Sequence, residues 1–331
     1  MNHTLKGAAL SFATMCVAIA GLPPASADPT EPSSVELVVP NSPGGAADTI
    51  ARVMQRNWTE GKLVSAPSVV INKPGGGGNV TLSYLEQKEG EGGVLAVTSI
   101  THQLNYIVGT SDYKYSDFTP IAMLVGDYVG FAVKADSRFE TAQDLVDALK
   151  KDPQSASIAI TGIGGLNHIP GLQLARAIGV DGRKLKTPVF DSTGDSATAM
   201  LGGHVDVVIG SAGNLAGHAE SGLIRILAVT APERLPGKLA DVPTWSELGY
   251  DVVFSSWRGL WGPKGMTPDQ IAFWDKTIAE SGKAPSWQKE LEANTWTDSI
   301  KSAAETRAEL DALQKELVSL LTELGLAKRT D

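Results

Sequence analysis

Val35-Glu36-Leu37-Val38-Val39 leads into Pro40-Asn41-Ser42-Pro43-Gly44-Gly45 and then into Ala46-Ala47-Asp48. A β-branched run of five residues predicts a buried strand, and the proline and glycines that follow end it. From Ala46 to Trp58 the apolar residues Ile50, Val53, Met54 and Trp58 recur at helical spacing, which predicts an amphipathic helix with one covered face. Strand, glycine turn and helix in that order make a βα unit.

The same phrase returns twice. Ser68–Ile71 leads into Asn72-Lys73-Pro74-Gly75-Gly76-Gly77-Gly78-Asn79, and Ser157–Thr161 into Gly162-Ile163-Gly164-Gly165-Leu166-Asn167-His168, each followed by a helical pattern. Further strands are predicted at Val94–Thr98, Gly130–Val133, Val205–Ile209 and Ile224–Thr230, with helices at Thr141–Lys150, Ile169–Ile178 and after the Thr267-Pro268 cap. Alternation of this kind predicts an α/β protein with mainly parallel sheets. At ~150 residues per domain, 331 residues make about two domains. With no flexible linker visible, the chain is expected to cross between them twice, near Leu124–Tyr128 and near Asp241–Trp245. This gives a discontinuous first domain of 28–126 plus 243–331 and a second of 127–242. The leucines 310, 313, 317, 320 and 324 form a stripe too short for an independent coiled coil and are read as core contacts.

Glycine turns at the carboxyl ends of strands are where ligands meet open α/β sheets. Unsatisfied N–H groups and about half a positive charge gather at each helix start, and a missing Cβ lets backbone approach an anion closely. Carboxylate and phosphate both fit. The third turn has Asn167 where a dinucleotide fingerprint needs its last glycine, and no phosphate-loop motif occurs. The histidines at 102, 168, 204 and 218 show no zinc-binding spacing, and no serine-hydrolase elbow is present. No metal, cofactor or catalytic residue is therefore expected.

Lys6, the apolar stretch from Gly7 to Leu22 and the small-residue exit Ala25-Ser26-Ala27 read as an export signal, residues 1–27, cleaved after Ala27. A membrane anchor or lipidation at Cys16 is the alternative. Cys16 is the single cysteine, so the exported chain is expected to lack thiols. A net charge of −9 disfavours nucleic-acid partners.

Several stretches also resemble a known family. They are Val39-Pro40-x-x-Pro43-Gly44-Gly45-x-x-Asp48, Asn72-Lys73-Pro74-Gly75-Gly76-Gly77-Gly78-Asn79, Gly164-Gly165-x-Asn167-His168, Leu201-Gly202-Gly203-His204-Val205-Asp206, Ala231-Pro232-Glu233-Arg234-Leu235-Pro236 and Trp257-Arg258-Gly259-Leu260-Trp261-Gly262-Pro263. The chain is similar throughout its predicted exported length to the periplasmic solute-binding proteins of tripartite tricarboxylate transporters, the Bug or TctC family. The resemblance implies a two-domain Venus-flytrap fold and a periplasmic location. It also implies non-enzymatic capture of a small, citrate-like di- or tricarboxylate by a monomer. Delivery would be to the large and small membrane subunits of the transporter. An exported sensory module feeding a receptor, or an exported enzyme on a carboxylated substrate, are the rival readings.

On this reading Ser42, Gly44, Gly45, Gly76, Gly77 and Gly78 present amides and one hydroxyl to a carboxylate. Gly164, Gly165 and His168 approach from the other domain. Ser99, Thr101, Ser192, Thr193 and Asp195 are candidate distal contacts, and Arg258 is a candidate charge partner. Asp48 caps or aligns the first helix, or meets a hydroxyl or ammonium group of the solute.

Overall fold

The computed structural model describes residue 1 and residues 31–190 and 193–331, so the export signal and Ser192 lie outside the described residues. In chain order the elements are β1 (Val35–Val39), α1 (Ala46–Glu60), β2 (Ser68–Asn72), α2 (Asn79–Glu86), β3 (Val94–Ser99), α3 (Ile100–Ile107), β4 (Thr119–Gly126), β5 (Val129–Lys134), α4 (Ala142–Lys151) and β6 (Ile158–Ala159). They continue as α5 (His168–Ala177), α6 (Thr193–Leu201), β7 (Val207–Ser211), α7 (Ala212–Glu220), β8 (Ile224–Val229), β9 (Arg258–Gly262), α8 (Pro268–Ser281), α9 (Pro285–Asn294), β10 (Thr297–Lys301) and α10 (Ala303–Glu323).

The strands form two sheets, in the orders β10-β4-β9-β3-β1-β2 and β6-β7-β5-β8. Most strands of each share a direction, as the sequence predicts. In the first, β1 to β4 run one way, and in the second β6, β7 and β8 do. One reversed strand is wedged into each, however: β9 lies antiparallel between β3 and β4, and β5 antiparallel between β7 and β8.

These wedged strands mark how the chain travels. β4 leaves the first sheet at Gly126 and, after two connecting residues, becomes β5 of the second. The return comes later than expected. Residues 243–254 still lie against the second sheet, where Thr244 bridges Val229 and Trp245 packs edge-on to Phe131 at 5.0 Å. The chain returns beside its outward path, with Tyr128 bridging Ser255 and the Ser256 N–H donating to Asp127 O at 2.8 Å. The crossing expected near Asp241–Trp245 therefore lies nearer Ser255.

Side-chain burial follows the predicted faces. Ile50, Val53, Met54 and Trp58 of α1 are wholly buried over the first sheet, and Trp58 meets Trp274 of α8 with ring centroids 4.9 Å apart. Each such side chain contributes about 1.5–3 kcal/mol by leaving water. A second apolar cluster is shared by both sheets, joining Val38 and Met123 of the first to Phe131 and Val207 of the second. Leu310, Leu317 and Leu320 of α10 are buried in it, with Leu313 and Leu324 packed at its margin. The far end of α10 thus braces the second lobe: Gln173 of α5 donates to Glu316 at 2.8 Å, and Arg176 pairs with Glu323 at 3.7 Å.

Candidate solute-binding site

The first and second glycine turns lie side by side because β1 and β2 are parallel neighbours, with Val39 opposite Asn72. Asp48 ties them together. Its carboxylate accepts from the Gly44 N–H at 2.9 Å, from Arg52 Nε at 2.8 Å and from Asn72 Nδ2 at 3.0 Å. The Arg52 hydrogen bond, aided by the other two donors, lowers its pKa to about 2 despite burial. Asn72 Nδ2 also donates to Asn41 O at 2.9 Å, fastening the first turn to the second. Asp48 is therefore a hub that joins the two turns.

Two cavities open at this seam. One, of about 300 Å³, is lined by Pro40, Asn41, Gly45, Ala46, Ala47, Val97, Thr98, Ser99 and Arg258. Here α1 begins at Gly45 with no side chain capping it, so the first amides of a helix of 15 residues remain for an outside acceptor. Thr98 is 1 % exposed and its Oγ1 has no hydrogen-bond partner. Arg258 reaches the same cavity because β9 pairs with β3, placing Arg258 opposite Ser99. Its guanidinium is anchored from behind by Asp127 Oδ2 at 3.3 Å, while Ser211 Oγ donates to the other Asp127 oxygen at 2.8 Å. Burial pushes the Asp127 carboxyl up, against the pull of Arg258 and Ser211. One contact on Asp127 leaves most of the five guanidinium N–H donors unspent.

The adjoining cavity, of about 310 Å³, shares Pro40, Asn41 and Ser99 with the first and adds Ser42, Pro74, Gly75, Gly77, Gly78, Thr101 and His102. Gly75 to Gly78 all take positive φ, a conformation that side chains oppose. A Cβ at Gly78 would collide with His102 Nε2, so only glycine lets the second turn pack this closely against the ring. Sequence reasoning passed over His102 as a site residue; its position three residues after Ser99, at the start of α3, is the signal that could have found it. The Ser99 N–H donates to its Nδ1 at 3.1 Å, with the Ser99 carbonyl 3.2 Å from the same nitrogen. Burial lowers the His102 pKa to about 4, opposed by its backbone contact to Ser99, so the ring is neutral near pH 7.

The structure reassigns several expected donors. Gly44 spends its N–H on Asp48, and Gly78 donates to Gly75 O at 3.0 Å. In the third turn the Gly164 N–H donates to His168 Nδ1 at 2.9 Å and the Gly165 N–H to Gly162 O at 3.1 Å, so neither is free for a solute. His168 is a loop clamp, buried and lowered to about 4 by desolvation. The first and third turns use one device, a glycine at positive φ whose amide turns inward onto an acceptor four residues later. The third turn faces α3 and α10, where a Cβ at Gly164 would meet Val108 Cγ1 at 3.0 Å, and no residue of it lines either cavity. Thr193 opens α6, and Asp195 lies exposed in its first turn and lines neither cavity. Gly76 adjoins the second cavity without lining it.

Among the described residues, no group of three or more His, Cys, Asp and Glu side chains could hold a metal ion, and no helix is long and apolar enough to cross a membrane.

Two α/β lobes joined by paired crossings, with open amides, a buried hydroxyl and a guanidinium at strand ends, define a two-lobed solute-binding protein. The model of the tripartite tricarboxylate transporter family receptor, TctC, matches residues 50–325, and the chain belongs to that family. It is 27% identical to the protein BugT of Bordetella pertussis over 301 residues, 88% of this chain and 89% of that one. Among solved structures it resembles a TctC solute-binding protein from Polaromonas, with a TM-score of 0.78 and 24% identity over 89% of this chain and 99% of the other. Two further neighbours carry ligands. MatC from Rhodopseudomonas palustris with bound malate has a TM-score of 0.65 and 22% identity, covering 86% of this chain and 98% of that one. An R. palustris protein with adipate has a TM-score of 0.72 and 22% identity, covering 89% and 98%.

Proposed function

We propose that this protein is an exported, periplasmic receptor that captures a small di- or tricarboxylate between its lobes and hands it unchanged to the membrane subunits of a tripartite transporter. The observation that carries the reading is the first cavity, where uncapped α1 amides, an unpartnered Thr98 hydroxyl and the Arg258 guanidinium converge. Each of these donates to a carboxylate, and none of them is a nucleophile paired with a base. Malate in one neighbour and adipate in another support the ligand class.

The energetics suit a receptor that must also release. Three or four charge-assisted hydrogen bonds at about 1.5–3 kcal/mol each offset the cost of association and leave affinity near the micromolar range. A ligand seated on the first lobe and touched by the second favours the shut arrangement by its differential affinity, and the shut form is what a membrane partner reads.

The test is calorimetric titration of unfolded, dialysed and refolded protein with citrate, malate and adipate, alongside phosphate and a neutral sugar. At least one carboxylate should bind, and Arg258→Met should weaken it by about tenfold or more, the worth of one charge-assisted contact. A phosphate or sugar response with every carboxylate silent overturns the ligand class. Conversion of the ligand into a product overturns the receptor role.

A further inference from the structure

The two adjoining cavities differ in charge. Arg258 lines the first; no lysine, arginine, aspartate or glutamate lines the second, whose polar groups are Ser42, Ser99, Thr101, Asn41, glycine-turn backbone and the His102 ring. His102 is 4 % exposed and its Nε2 is a buried polar atom without a partner. A buried polar group left unpaired costs about 1–3 kcal/mol, so Nε2, packed behind Gly78 in the wall of this cavity, gains from any hydrogen-bonding group brought to it.

We infer that the second cavity receives the far end of the solute through uncharged hydrogen bonds, so that it accepts a carboxamide there about as readily as a carboxylate. The inference rests on the carboxylate reading of the first cavity and extends it to a division of labour. One pocket demands a negative charge, and its neighbour demands only a polar group of the right reach. A carboxamide both donates and accepts, so it satisfies Nε2 whichever ring nitrogen carries the proton. A second carboxylate gains the partial positive ends of the short helices α2 and α3, yet it leaves water without meeting a full counter-charge. These two terms oppose each other, and the cavity is left nearly indifferent to the charge of what it holds.

The experiment compares diacids with their half-amides of equal length by calorimetry: succinate with succinamate, glutarate with glutaramate, adipate with adipamate. For the best-binding length, the half-amide should bind within about threefold of the diacid, whereas the diamide, lacking any carboxylate for the first cavity, should lose about a hundredfold or more. His102→Phe should weaken diacid and half-amide by the same factor, about tenfold, and His102→Gln, which still donates and accepts, should recover part of that loss. Melting temperatures of both variants report whether the fold survives. A half-amide weaker than its diacid by about thirtyfold or more overturns the inference while leaving the first cavity's role intact. Unchanged affinity in a folded His102→Phe variant also overturns it. If no acid of any length binds, the carboxylate reading itself fails, and this inference with it.

Discussion

Acid should unfold this protein partly through two histidines. His102 and His168 are both buried, at 4 % and 7 % exposure, and both are lowered to about 4 by loss of hydration. An unfolded histidine titrates near ~6.5, so the unfolded chain binds more protons between that value and about 4. The folded value is depressed, so the associated stability is present above pH ~6.5 and is lost as the pH falls toward 4. At pH 5 each histidine has removed ~2 kcal/mol relative to pH 7, or ~4 kcal/mol for the pair, a large part of the ~5–15 kcal/mol typical of a folded domain. For His168 the reason is visible in the bonding: a proton on Nδ1 would displace the Gly164 N–H that now donates to it. The assay is urea unfolding at pH 7 and pH 5 for the native chain, the single variants His102→Gln and His168→Gln, and the double variant. Carboxylates common to all four cancel. The native chain should lose about 4 kcal/mol more than the double variant over this interval, with the singles in between. Equal losses in native and double variant, or imidazole resonances titrating near pH 6.5, refute the reasoning.

Two substitutions test the glycine turns separately. Gly45 sits at φ −85° and ψ 172°, open to any residue, and a Cβ there finds only Ser42 O at 3.9 Å. Gly45→Val should keep the melting temperature within roughly 2 °C while narrowing the first cavity and weakening carboxylate binding by about tenfold or more. Unchanged affinity by calorimetry removes the start of α1 from the site. Gly164 sits at φ +75°, with Val108 Cγ1 at 3.0 Å and Leu321 Cδ2 at 3.6 Å from a Cβ there. Gly164→Ala should cost about 1–3 kcal/mol in urea unfolding through backbone strain and crowding against α3 and α10, and a loss under 0.5 kcal/mol argues against that packing.

Much of the fold could be read directly because its strands are short β-branched runs bounded by glycine or proline. β1 has the predicted limits, and β2, β3 and β5 lie within a residue of theirs at each end. The strands that escaped notice are the irregular ones. β4 is a continuous buried run, but Pro120 argues against a central strand, and its ladder with β9 accommodates the proline by a register shift between Pro120 and Ala122. β9 carries glycine at 259, where a Cβ would collide with Ala122 O, so close strand approach selected the residue least expected in a sheet. β10, Thr-Asp-Ser-Ile-Lys, is a polar edge with little apolar alternation. In the site, the turns were legible from glycine content and spacing, but the direction of each amide was not. That depends on whether Asp48 or His168 folds back across its own turn, which side-chain geometry alone decides.

The insertion of β9 between β3 and β4 also orders events during translation. Val97 and Thr98 find their partners Leu260 and Gly259 only after the whole second lobe has been synthesised. At ~5–20 residues per second the ribosome takes roughly ten to thirty seconds to deliver that strand. Through that interval the inner edges of β3 and β4 are bare hydrogen-bonding templates flanked by Leu95, Ile121 and Leu124, all fully buried at the end. Until that middle strand arrives, the first sheet cannot zip shut.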